Sequence, residues 1–136
     1  MRILVVDDEL VSRKKMEIIM STFGECVAVD TGQAALKAFR DAIVNGKLFD
    51  LITLDVSMPD MDGTEVLYEI RKIEKRRNIP RKTWSKIIMV TAQSDKNTVT
   101  LCIQVGCDNY IVKPFDRPIV ARKLAEIGMN TTAPVQ

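Results

Sequence analysis

Histidine is absent from this chain altogether. That absence excludes a histidine-based catalytic triad, a histidine-ligated metal and a phosphohistidine carrier. Cysteine is scarce, and the three present, Cys26, Cys102 and Cys107, are odd in number and have no C-x-x-C spacing. Free buried thiols are therefore favoured over a disulfide framework or a zinc site. No apolar run approaches the ~20 residues that a membrane span needs. Asp7 also cuts the N-terminal run too short for a signal peptide. The chain is thus expected in the cytoplasm, with no membrane partner. Internal repeats and low-complexity segments are missing as well.

What is present is the composition of one ordinary globular domain: 136 residues, 46% hydrophobic and 28% charged. The expected domain covers residues 1–128. Residues 129–136 are a short tail with no room for an output domain, and Met1 together with this brief polar tail favours a complete chain. The net charge of +2 is unevenly spread. From Arg71 to Lys86 stand eight basic residues and one acid, Glu74, so a basic arm of +7 sits on a body of −5. Its apolar stripe lapses after Ile73, which predicts charges facing water, and Pro80 stops the helix from running on into Ser85.

Short apolar runs alternate with segments of helical period. Ile3–Val6, Cys26–Val29, Leu51–Leu54, Ile87–Val90 and Tyr110–Val112 are rich in Val and Ile and largely lack polar alternation, as strands covered on both faces do. Between them, Met16, Ile19, Met20 and Phe23 repeat at i, i+3, i+4, i+7. Leu36, Phe39 and Ile43 mark a second stripe, Val66, Ile70 and Ile73 a third, and Val120, Leu124 and Ile127 a fifth. The fourth helix, about Asp95 to Val105, has the weakest stripe because Thr98 and Thr100 interrupt it. Gly24, Gly46, Gly106 and Gly128 follow these helices, where a left-handed cap favours glycine. Strands alternating with helices predict an α/β fold: a parallel sheet with right-handed crossovers and helices on both faces. Ligands of such sheets bind beyond the carboxyl ends of the strands.

The residues expected at those ends are unusually polar. Strand one runs into Asp7 and Asp8, with Glu9 next; strand three ends at Asp55; strand four at Thr91 and Ala92; strand five at Lys113 and Pro114. Taken singly, Asp8 could cap a helix, Asp55 start a turn, Thr91 end a strand and Lys113 be solvated. If strands one, three, four and five are neighbours, three carboxylates, a hydroxyl and an ammonium converge on one shallow pocket. Clustered carboxylates raise one another's pKa unless a cation sits among them. Hard oxygen ligands favour Mg²⁺, and an aspartate is a competent nucleophile toward a phosphoryl group.

The stretches ILVVDDE, LDVSMPDMDG, MVTA and GCDNYIVKPF, in this order, resemble the receiver domains of two-component response regulators. The likeness runs from about Arg2 to Ile127 and is similar to the stand-alone chemotaxis-type members. The resemblance implies a flavodoxin-like, doubly wound (βα)5 three-layer sandwich with strand order 2-1-3-4-5. It implies that Asp55 accepts a phosphoryl group from a sensor histidine kinase or a histidine phosphotransfer protein. It implies Mg²⁺ bound by Asp7, Asp8, Asp55 and the backbone carbonyl of Ser57, and phosphoryl-stabilising or switch roles for Thr91, Lys113 and Tyr110. It implies a cis peptide between Lys113 and Pro114, and a regulatory phospho-acceptor rather than an enzyme, with output through a protein contact. In the family that the chain resembles, the positions of Ser57 and Gln93 vary and influence how long the phosphate persists. The segment between the third helix and the fourth strand, the basic arm, is longer than usual.

Three other readings carry less. Haloacid-dehalogenase-type phosphatases also place an aspartate nucleophile after a strand, but they need a second Asp two residues on, where this chain has Ser57. A nucleic-acid-binding role through the arm is not favoured, because Trp84 is its one aromatic and no helix-turn-helix is recognisable. A degenerate receiver would lack an acidic or lysine position, and none is lost.

Overall fold

The computed structural model describes residues 1–92 and 96–129. The expected start of the fourth helix at Asp95, Gln93 and the tail from 130 onward lie outside the described residues. The described chain alternates β1 (Arg2–Val6), α1 (Leu10–Ser21), β2 (Glu25–Val29), α2 (Gly32–Val44), β3 (Leu51–Asp55), α3 (Gly63–Arg76), β4 (Lys86–Thr91), α4 (Lys96–Val105), β5 (Asn109–Val112) and α5 (Arg117–Glu126). A short 3₁₀ turn, Arg81–Thr83, interrupts the arm before β4. The strands form one parallel sheet in the order β2-β1-β3-β4-β5.

This order follows from what each strand must bury. β3 is buried at every residue and β1 nearly so, which suits inner strands. β2 is only half covered, an edge strand and not one shielded on both faces as its apolar sequence suggested. Alternate side chains feed two cores. Leu4, Ile52, Leu54 and Met89 pack with Leu36 and Phe39 of α2, Leu67 and Ile70 of α3 and Cys102 of α4. Ile3, Val5, Leu51 and Ile88 pack with Met16, Ile19 and Met20 of α1 and Val120 and Leu124 of α5. The methionine and phenylalanine stripes are thus core. All three cysteines are free, and only Cys102 is buried outright.

One of the expected local details differs. Gly46, Gly106 and Gly128 take positive φ after their helices, but Gly24 does not. A Cβ at Gly24 would stand 2.3 Å from the Met1 carbonyl oxygen, so this glycine permits a close approach of the N-terminal strand. After α3, which has no following glycine, Asn78 takes the positive φ, 52°.

The larger correction concerns the arm. Arg71 and Glu74, expected to face water, are 8% and 1% exposed. The Arg71 guanidinium donates to Glu74 Oε1 at 2.8 Å, to Asp108 Oδ2 at 3.0 Å, and to the carbonyls of Ser85 at 2.9 Å and Gly106 at 2.9 Å. Glu74 Oε2 accepts the Ser85 N–H at 3.0 Å, and Asp108 accepts the Ile87 N–H at 2.8 Å. One guanidinium therefore joins α3, the entrance of β4 and the loop between α4 and β5. Burial still holds the Glu74 carboxyl above its usual pKa despite Arg71 and the Ser85 N–H. Removing one partner of such a pair strands the other. Arg71→Met should lower the urea-unfolding free energy by about 3 kcal/mol, whereas Lys75→Met, one turn on and exposed, should change it by less than about 0.5 kcal/mol.

Candidate functional site

β1, β3, β4 and β5 lie side by side, so their carboxyl ends open on one edge of the sheet. Val6 pairs with Leu54, Asp55 with Val90, and Thr91 with Val112. This register sets Asp7, Asp55, Thr91 and Lys113 within one residue of a common line. Carboxylate oxygens of Asp7, Asp8 and Asp55 lie within 4.8 Å of one another. Asp7 and Asp55 are buried and Asp8 is exposed.

The loop after β3 is built to leave Asp55 there. The Gly63 N–H donates to the Val56 carbonyl at 2.8 Å, and a Cβ on Gly63 would fall 2.1 Å from the Asp55 carbonyl oxygen. Only glycine tolerates that approach. Asp62 caps α3 through the Thr64 N–H, and Asp60 accepts the Gly32 and Gln33 N–H groups at 3.0 Å each, satisfying the free amides at the start of α2. Asp60 was not legible as a site-shaping residue, since its partners lie 27 and 28 positions away. Ser57 sits in the turn and donates its N–H to Asp55 Oδ1 at 3.3 Å.

Lys113 is the counter-charge. Its Nζ lies 3.1 Å from Asp7 Oδ2, 3.6 Å from Asp55 Oδ2 and 3.6 Å from Glu9 Oε1. The pairing with Glu9 was hidden in the sequence behind the acidic pair it follows. The Lys113 N–H donates to the Thr91 carbonyl at 2.8 Å, and the Lys113–Pro114 peptide is cis. Burial works against the ammonium, but Asp55, Asp7 and Glu9 outweigh it and hold the Lys113 pKa above its ordinary value. One lysine does not balance the site. Burial first, and then the charge of Asp7, push the Asp55 carboxyl up to about 7 even against the opposing pull of Lys113. Such a donor set, all hard oxygen and short of positive charge, fits Mg²⁺.

Thr91 is buried at the end of β4 and shares strand parity with Met89, on the face where Tyr110 packs. Tyr110 is half-buried near the opposite end of β5, with the Lys123 ammonium 4.3 Å from its ring centre. It is the second residue of β5, after Asn109 and not the first as expected. The structure thus gathers Asp7, Asp8, Asp55 and Lys113 into one cluster. Thr91 lies at its border and Tyr110 stands away from it.

Known proteins place this arrangement. The profile described as "Response regulator receiver domain" matches residues 3–125. The chain is 31% identical over 126 residues to the chemotaxis protein CheY of Treponema pallidum, covering 93% of this chain and 81% of that protein. It is 34% identical over 130 residues to the hybrid signal transduction histidine kinase L of Dictyostelium discoideum, covering 95% of this chain but only 7% of that much longer protein. Among solved structures, the receiver domain of the histidine kinase CKI1 from Arabidopsis thaliana, complexed with Mg²⁺ and BeF₃⁻, superposes with a TM-score of 0.76 at 32% identity, covering 93% of this chain and 88% of that one. With the profile spanning both cores and all five strands, the chain belongs to the response regulator receiver domain family.

Proposed function

We propose that the chain is a phosphorylation-controlled switch of two-component signalling, acting in the cytoplasm with Asp55 as the phospho-acceptor. The observation that carries this reading is the cluster itself: a buried aspartate at the end of β3, its proton affinity raised to about 7, with Lys113 Nζ at 3.6 Å and two further carboxylates beside it. The donor is a phosphohistidine of a sensor histidine kinase or a histidine phosphotransfer protein. A carboxylate oxygen of Asp55 bonds to phosphorus as the phosphorus–nitrogen bond breaks, and the released imidazole takes up a proton. Bound Mg²⁺ supplies charge neutralisation for the carboxylates and the incoming phosphoryl oxygens. Asp7, Asp8 and Asp55, with the Ser57 carbonyl, are the residues that would hold it.

Lys113 is held at the site by Asp7 and Glu9, and it moves from carboxylate to phosphoryl oxygen once Asp55 is modified. Thr91 donates its hydroxyl to a second phosphoryl oxygen. The movement vacates space into which the Tyr110 ring turns, altering the surface formed by α4, β5 and α5. The change is a shift of population between two packings. Moving a 1:99 mixture to 99:1 needs about 5.5 kcal/mol of differential stabilisation. A few charge-assisted hydrogen bonds at about 1.5–3 kcal/mol each are of this order. The protein is on this reading a regulator that contacts other proteins.

Incubation with acetyl phosphate and Mg²⁺ should add one phosphoryl group, seen as an intact-mass shift, and Asp55→Asn should abolish it. Equal labelling of that variant would refute the assignment. Thr91→Ala and Lys113→Ala should still accept the group but fail to carry backbone NMR shifts into Lys96–Val105. A full set of shifts in either would break the proposed relay.

The raised Asp55 pKa also fixes a sign. The folded protein keeps this proton up to about 7, whereas the unfolded chain releases it near 3.8. The stabilising contribution is thus complete below the lower value and is lost as pH rises through the upper one. In EDTA, the melting temperature of wild type relative to Asp55→Asn should fall between those two values. Adding Mg²⁺ at the higher pH should raise the wild-type melting temperature more than that of the variant. A difference between the two proteins that is flat with pH in EDTA would show that Asp55 is not electrostatically stressed.

A further inference from the structure

The basic arm is left over by the phosphorylation site, and it is an ordered part of the fold. The Trp84 indole N–H donates to the Ile79 carbonyl at 2.9 Å, and the Thr83 hydroxyl donates to the Pro80 carbonyl at 2.8 Å. Two guanidinium groups approach the ring, Arg81 at 4.5 Å and Arg71 at 5.5 Å from its centre. A cleft of about 630 Å³ opens between this loop and the end of α4. Five cations line it, Arg71, Lys75, Arg81, Lys82 and Lys86, against one carboxylate, Asp108, which Arg71 already engages. Among the described residues, Lys75, Arg81, Lys82 and Lys86 make no ion pair.

The cleft does not stand alone. Along the seam of α3 and α4, through Lys75, Gln104 and Val105, it adjoins a second depression of about 560 Å³ with Lys72, Arg76 and Tyr68 on its wall. Beyond Tyr68 lies a third, walled by Met61, Leu101 and Val105, with Glu65 and Glu69 at its margin. Tyr68 is 57% exposed and Leu101 47%. The track is therefore cationic at the arm, apolar at the far end, and bordered there by acids that repel further negative charge.

We infer that this α3–α4 track binds an acidic polypeptide segment of a partner protein, with its carboxylates against Lys75, Arg81 and Lys82 and an apolar end against Tyr68 and Leu101. Charge complementarity selects the occupant and also its direction. A small anion would fill the cleft and leave the apolar length uncovered. A duplex phosphate backbone would meet Glu65 and Glu69. The cationic cleft lies at the amino ends of β4 and β5, on the opposite edge of the sheet from Asp55, while the apolar end runs along α3 to Met61 in the loop after β3. The inference rests on the charges of the arm and not on the phospho-acceptor reading.

Trp84 is the single tryptophan of the chain, so its fluorescence reports the cleft directly. The probe is a synthetic peptide with an Asp/Glu tract followed by two leucines, titrated into the full chain at physiological ionic strength. It should change the fluorescence saturably, weaken steeply with added salt, and bind Asp55→Asn as well as wild type. Lys75→Glu with Lys82→Glu should weaken it about tenfold or more, and the corresponding glutamine pair should fall between, with circular dichroism confirming the fold. Tyr68→Ala should weaken this peptide but leave an all-acid peptide without leucines unaffected. The inference is overturned if no saturable change occurs, or if charge reversal leaves affinity unchanged. It is equally overturned if ATP or a short DNA duplex binds more tightly than the peptide.

Discussion

The contact between the Lys113 ammonium and the buried carboxylates of Asp7 and Asp55 is what the arrangement at the sheet edge depends on. Two acids taken out of water repel each other, and one cation at 3.1 and 3.6 Å offsets only part of that repulsion. The sheet holds them together because their strands are neighbours and their backbones are fixed by the ladder. Asp7 and Asp55 therefore stand to gain from any further cation. A site with balanced charge would have nothing to release.

The opposite edge of the sheet is held by a different pairing. There Arg71 is fully engaged, with two carboxylates and two carbonyls, and its charge is spent on structure. Among the described residues, Lys75, Arg81, Lys82 and Lys86 beside it make no ion pair. Arg71 thereby ties the carboxyl end of α4 to α3 through the Gly106 carbonyl.

Much of this was legible in the sequence, for reasons that differ by residue. Val- and Ile-rich runs of strand length located the five strands, and apolar stripes of helical period located α1, α2, α3 and α5 clearly and α4 only weakly, because α4 buries little but Cys102. Asp55 stood out as an acid closing an apolar strand, and Lys113 as a cation doing the same. The burial of Arg71 and Glu74 was not legible. Their partners Ser85, Gly106 and Asp108 are distant in sequence, and a charged run reads as a solvated face unless those contacts are known. Gly24 was misread for a related reason: its constraint comes from Met1 across space and not from the helix before it.

The central claim is that Asp55 itself, of all the clustered acids, receives the phosphoryl group. Borohydride reduction tests this at the level of the atom, because it converts an acyl phosphate of aspartate to homoserine and leaves free carboxylates untouched. After phosphorylation, reduction and peptide mapping, homoserine should appear in place of Asp55 alone. Homoserine in place of Asp7, Asp8 or Asp60, with Asp55 intact, would contradict the account.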